Sequence, residues 1–236
     1  RNFALLQALQ TSIQLFKATP SMSMHELNHK IQENMRNEEE LLVEPAFFHG
    51  LVEEILEIGQ IRIQPKMGKY NNELSRYRYD VFLRKNLKDP VENMQPEWID
   101  WNGMDLSQIR GLLISGKEKI IGIKSVANSR IKNDEKILDY FTNASGNETV
   151  SQLKNEIQGF QNEGIEPDDL WELSKELSCS VEFQLLNDFD YDVIFIPGSK
   201  KGKVEYKPYF ELSGKPLKSC TNNPVYAKLT RQIVPR

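Results

Sequence analysis

Along the first quarter of the chain, apolar positions recur at helical spacing. Phe3, Leu5, Leu6, Leu9, Ile13 and Phe16 fall one, three and four apart, which predicts a core-facing helix that ends before Pro20. Ser23 and Glu26 have capping-box spacing, and Met24, Leu27, Ile31 and Met35 form the stripe of a second helix. Leu41, Leu42, Val43 and Pro45 introduce a third, over residues 46–56, with Gly59 ending it. The period then changes. Ile61 and Ile63 alternate with Arg62 and Gln64 before Pro65, and after a loop over 67–72 Tyr77, Tyr79, Val81 and Leu83 alternate with Arg78, Asp80, Phe82 and Arg84. These are two strands, the second carrying its tyrosines on one face, and so short a loop favours an antiparallel hairpin.

A polar, proline-containing link over 85–96 precedes the second half. There Trp98-Ile99-Asp100-Trp101 and residues 106–113 predict a helix, residues 119–123 a buried strand, and residues 150–160 and 168–177 two more helices, the last opened by Pro167-Asp168-Asp169. Asn128 and Arg130 read as a capped turn after a strand. Strands over 181–186 and 191–197 flank an Asp188-Phe189-Asp190 turn. There is no internal repeat and no low-complexity tract.

Composition narrows the function classes. A 39% hydrophobic content over 236 residues suffices for a core, and 30 basic against 34 acidic residues, well mixed, give a net charge of −4. Such a surface offers no one-sided field for nucleic acid or an anionic membrane, and no run approaches the ~20 apolar residues that span a bilayer. Cys179 and Cys220 have no Cys or His at ligand spacing, so a soluble, cytoplasmic setting without disulfides is expected. With Arg1-Asn2-Phe3 at its head in place of Met or a leader, and Ile233-Val234-Pro235-Arg236 at its end, the chain reads as a piece of a longer polypeptide.

The run Asn72-Glu73-Leu74-Ser75-Arg76-Tyr77-Arg78-Tyr79-Asp80-Val81 closely resembles a signature of the N-methyltransferase domains embedded in the adenylation domains of nonribosomal peptide synthetases, departing from it at Asp80. Residues 39–48 and 61–64 resemble neighbouring blocks, Gly122-Ile123 through Val126, Asn128 and Arg130 a looser third motif, and Asn222-Asn223-Pro224 onward the return into the adenylation domain. The wording is most similar to cyanobacterial assembly lines for microcystin-type or cyanopeptolin-type peptides. The resemblance implies an α/β fold: the C-terminal portion of a class I methyltransferase, with lid helices and the final β-hairpin over 1–85, an appended α+β segment over 86–212, and the adenylation subdomain from 213. Ile61 to Gln64 and Tyr77 to Leu83 would be the sixth and seventh strands, with the glycine-rich turn for S-adenosylmethionine upstream of Arg1.

In open α/β sheets ligands bind beyond the carboxyl ends of the parallel strands, which would bring Asn72 to Tyr79 beside the donor. The resemblance then implies Glu73, Tyr77 and Tyr79 as catalytic residues, Glu73 taking a proton from the aminoacyl nitrogen and the tyrosines orienting it. It implies Asn72 and Tyr79 at S-adenosylmethionine, and Arg76 and Arg78 at the phosphopantetheine arm of the carrier, with no metal. The partners are then the peptidyl carrier domain and the adenylation domain of the same polypeptide. The alternative is a non-catalytic module that shapes the acceptor side or docks the carrier.

A second motif competes. His25-Glu26-Leu27-Asn28-His29 satisfies the His-Glu-x-x-His pattern of zinc metallopeptidases, in which imidazoles one turn apart bind the metal. The apolar stripe of the same helix is Met24, Leu27, Ile31 and Met35, which leaves the histidines on a wet flank, and a zinc site needs a supported second layer of partners.

Overall fold

Leu6, Ala8, Leu9 and Leu15 are buried along helix α1 (Leu6–Lys17), with Leu5 at its cap, and Met24, Leu27 and Ile31 along α2 (Met24–Arg36); the C-terminal end of the α1 stripe, Leu15 with Ala18, packs on the stripe of α2. The computed structural model describes residues 1–55, 57–85, 92–93, 95–143, 148–161, 163–185, 189–200, 204–205, 216–225 and 228. Among these the chain is a mixed α/β protein. Helix α3 (Pro45–Glu54) leads to strand β1 (Ile58–Pro65), the short helix α4 (Glu73–Tyr77) and β2 (Tyr79–Lys85). Strands β3 (Glu92–Asn93) and β4 (Glu97–Asp100), α5 (Leu106–Ser115), β5 (Ile121–Ala127), α6 (Lys132–Asn143), α7 (Val150–Gln158) and α8 (Pro167–Glu176) follow. Strands β6 (Cys179–Gln184), β7 (Asp190–Pro197) and β8 (Val204–Glu205) come last.

β1 and β2 form the expected antiparallel hairpin, with Ile61 opposite Leu83, Ile63 opposite Val81 and Pro65 opposite Tyr79. A second sheet runs β4-β5-β7-β6, parallel between its first two strands and antiparallel elsewhere. Its Ile123, Val193, Phe195 and Phe183 pack on Ile109 and Leu113 of α5 and Leu170, Trp171 and Leu173 of α8, forming the largest core. β3 and β8 make a two-residue parallel pair. The two other main cores draw on residues from both sides of position 85: Leu15, Met24, Leu27 and Ile31 with Ile137, Val150 and Leu153, and Leu5, Ala8, Leu9 and Tyr77 with Ile131. The expected boundary itself falls in the 86–91 stretch, outside the described residues.

Several expectations change. Phe16 is 89% exposed, because the last turn of α1 packs through Leu15 and Ala18. Helix α3 stops at Glu54, and Gly59 lies inside β1. Trp98 to Asp100 is a strand, and the Trp98 ring occupies the space a Cβ on Gly122 would need, at 2.3 Å. Helix α6 has no counterpart in the pattern reading. Tyr77 ends α4 instead of lying on a strand, so the two tyrosines of the signature do not share a strand face. Asp188, Leu56, residues 201–203 and Arg231 to Arg236 lie outside the described residues. No helix among those described is long and apolar enough to cross a membrane.

Candidate functional site

The signature folds as a capped turn. Asn72 Oδ1 accepts from the amides of Leu74 (2.9 Å) and Ser75 (3.1 Å), while Ser75 Oγ accepts from the Asn72 amide at 3.3 Å. This reciprocal box satisfies the first amides of α4 and starts a helix only five residues long. Ser75 Oγ also donates to the Tyr70 carbonyl, which ties the turn to the loop before it.

Most polar groups of the signature then meet partners brought by the fold. Arg76 Nη2 reaches both carboxylate oxygens of Asp134 of α6, at 2.5 and 2.7 Å, and Arg76 donates through Nε to the Arg130 carbonyl at 3.1 Å. Tyr77, 3% exposed, donates its hydroxyl to Asp134 at 2.9 Å. Burial pushes the Asp134 carboxyl above its ordinary range, against the pull of Arg76 and Tyr77. Tyr79 donates to the Val43 carbonyl at 2.5 Å and meets Phe48 edge-on at 6.2 Å. Both tyrosines are raised in pKa by burial first, then by Asp134 for Tyr77 and Glu44 for Tyr79, so each is a neutral hydroxyl at neutral pH. Asp80 pairs with Lys66.

Glu73 and Arg78 differ from these. Each side chain is 36% exposed, against 20% for Arg76. Glu73 Oε1 takes the Arg1 guanidinium at 2.7 Å from Nε and 2.6 Å from Nη2, with Arg78 Nη2 at 3.5 Å. Arg1 also reaches Glu40 at 3.2 Å and Glu38 at 3.8 Å. The fold therefore brings Asn72, Glu73 and Arg78 to the surface side of the turn and commits Arg76, Tyr77 and Tyr79 to its internal side.

Residues outside the signature complete the surroundings. A polar cavity of about 480 Å³ lies between Lys69, Tyr70 and Asn71 of the loop and Ser129, Arg130, Asn133 and Glu166, with Arg76 in its wall. Lys69 pairs with Asp169 (3.2 Å) and Glu172 (3.1 Å), and Gly68, at φ +118°, donates its amide to both oxygens of Asp168 at 3.1 and 2.9 Å. Every cation at this cavity faces a carboxylate, so it presents no net positive field for a phosphate. Asp134, Asp168 and the buried part of Arg130 were not visible as site neighbours in the sequence. Their partners lie 36 to 100 residues away along the chain.

The competing motif is placed differently. His25, Glu26 and His29 are exposed on α2. Ser23 Oγ accepts from the Glu26 amide at 3.1 Å as expected, but the Glu26 carboxylate runs forward to Lys30 at 3.0 Å. Among the described residues no three His, Cys, Asp or Glu side chains gather at metal-binding spacing.

No family model matches the chain. It is similar along nearly its whole length to very long synthetases. It is 28% identical over 243 residues to chondramide synthase cmdD of Chondromyces crocatus, covering 99% of this chain and 6% of that protein. It is 26% identical over 256 residues to cyclosporin synthetase simA of Tolypocladium inflatum, covering 98% of the chain and 2% of the relative. Over 110 residues, 46% of the chain, it is 36% identical to the nonribosomal peptide synthetase dtxS1 of Metarhizium robertsii. The chain thus spans a few per cent of the length of these curated relatives, and its similarity is to a segment of nonribosomal peptide synthetases.

Proposed function

We propose that this chain is the C-terminal part of an N-methyltransferase unit within the adenylation region of a nonribosomal peptide synthetase, acting on an aminoacyl group held as a thioester by a carrier domain. The observation that carries this reading is the signature Asn72 to Val81 in a chain similar to such synthetases over 99% of its length. The assembly-line type, cyanobacterial and toxin-like, rests on the wording of the blocks alone.

The donor, S-adenosylmethionine, supplies a methyl group on a cationic sulfonium. The described residues do not fit a donor pocket by themselves. Asn72 Oδ1 and the Tyr79 hydroxyl, the groups expected to reach it, are spent on internal hydrogen bonds. The contribution of this chain is therefore on the acceptor side. Glu73 is the group that takes the proton lost by the acceptor nitrogen, because Tyr77 and Tyr79 stay neutral and closed off, while the Glu73 carboxylate reaches solvent beside Arg1 and Arg78. Arg78, less fully paired than Arg76, is the arginine left to meet the phosphate of the pantetheine arm. The carrier and adenylation domains of the same polypeptide are the partners.

The test is calorimetric titration of S-adenosylmethionine into this chain and into one extended upstream by about 200 residues, a typical domain length. Methyl transfer to a carrier-bound aminoacyl thioester is then followed by mass. The expected result is binding by the extended chain only, with Glu73→Gln slowing transfer about a hundredfold. Tight donor binding by the 236-residue chain alone, or no transfer by the extended one, overturns the proposal.

A further inference from the structure

We infer that Arg130 is a positioning residue for the signature, through which the second half of the chain sets the place of the turn that carries Glu73; the inference rests on the methyl-transfer reading above. The Arg130 side chain is 5% exposed and its guanidinium is used on every side. Nη1 donates to the carbonyls of Lys66 at 2.5 Å and Ser75 at 3.2 Å, and Nη2 to the carbonyl of Gly68 at 3.3 Å. Nε donates to Glu166 Oε1 at 2.6 Å, and Nη2 lies 3.2 Å from Asp168 Oδ2. The carboxylates from the start of α8 balance the charge, and the carbonyls come from the start of the loop after β1, at Lys66 and Gly68, and from α4, at Ser75.

Two further bonds make the clamp reciprocal. Asp168 accepts from the Gly68 amide, so Gly68 is held at its N–H by Asp168 and at its carbonyl by Arg130. Arg130 donates to the Ser75 carbonyl, while the Arg130 carbonyl accepts from Arg76 Nε. A planar five-donor fork can serve this many acceptors in one plane, and a lysine ammonium cannot. Arg130→Lys therefore keeps the charge and loses the fork. Asp168→Asn keeps the shape and removes the charge that Arg130 faces.

Both variants are made in the full-length polypeptide and compared with wild type. Hydrogen exchange at residues 66–75, methyl-transfer kcat and the KM for S-adenosylmethionine are measured, with amino-acid adenylation as the control for overall folding. The expected result is exchange at least about tenfold faster in the loop, equivalent to roughly 1.4 kcal/mol of lost protection, with kcat falling by a similar factor while the donor KM and adenylation hold. Unchanged loop exchange in both variants overturns the inference, as does a joint fall of adenylation and transfer, which marks a merely structural residue. If Arg130→Lys does not fold, Asp168→Asn decides by the same readouts. Absence of methyl transfer in the wild type sinks the methyltransferase reading instead, and loop exchange still decides whether Arg130 holds the turn.

Discussion

Within the signature Arg76, Tyr77 and Tyr79 are bonded to residues 36 to 58 positions away, whereas His25, Glu26 and His29 stand exposed on α2 with Glu26 paired only one turn along. Both runs have spacings that chemistry uses. Spacing decides which residues share a face; what the fold sets opposite them decides what they can do. Asp134 lies 58 residues beyond Arg76 and turns it from an exposed cation into half of a buried pair. Among the described residues no cluster of His, Cys, Asp or Glu side chains at metal-binding spacing forms at the α2 histidines. A motif is therefore weighed by its surroundings, and here the richer surroundings also restrict which signature residues remain open to a ligand.

The sharpest way to break the contrast is Asp134→Ala, which strands Arg76 and the Tyr77 hydroxyl together. Removing one partner of a buried ion pair costs about 3–5 kcal/mol, read as a lower urea midpoint. Next comes the histidine that carries no motif. Burial depresses the His49 pKa to about 4, so its neutral form is favoured by the fold. Stability from this group is intact above its ordinary pKa near 6.5 and declines as pH falls towards 4. Up to about 3 kcal/mol is lost across that window, and His49→Gln flattens that part of the pH profile of the melting temperature. Ser23→Ala removes the cap of α2 and costs about 1 kcal/mol. His25→Ala and His29→Ala sit at the small end, within about 0.5 kcal/mol of wild type and with no change in bound zinc by elemental analysis. A stoichiometric loss of zinc in either would reverse the comparison.

The sequence was readable wherever burial is apolar and periodic. Helices α1, α2, α5, α7 and α8, the β1-β2 hairpin and strands β6 and β7 all follow hydrophobic spacing. Helix α6 was missed because its first five residues, Lys132 to Lys136, are all polar and Asp134, a charge, is one of its two buried positions, so its apolar side chains Ile137, Leu138, Tyr140 and Phe141 come only after them. Trp98 and Trp101 suggested a helix because their spacing fits one turn, yet Trp98 is held in a strand by the gap at Gly122. The signature itself was legible as a turn. Its short helix was not, since the Asn72–Ser75 box depends on side-chain geometry over three residues and leaves no hydrophobic period. The ionic clamp was invisible because Arg130 read as an ordinary turn residue, and nothing local indicates that it will be buried.

What Arg130 grips there is main chain: the carbonyls of Lys66 and Gly68 in the loop and of Ser75 in α4. Those bonds depend on the path of the chain and not on the side chains of Lys66 and Ser75, while Gly68, at φ +118°, keeps its own requirement for glycine. Tyr70 and Asn71, which line the neighbouring cavity, therefore stand on a backbone that Arg130 and Asp168 hold from below.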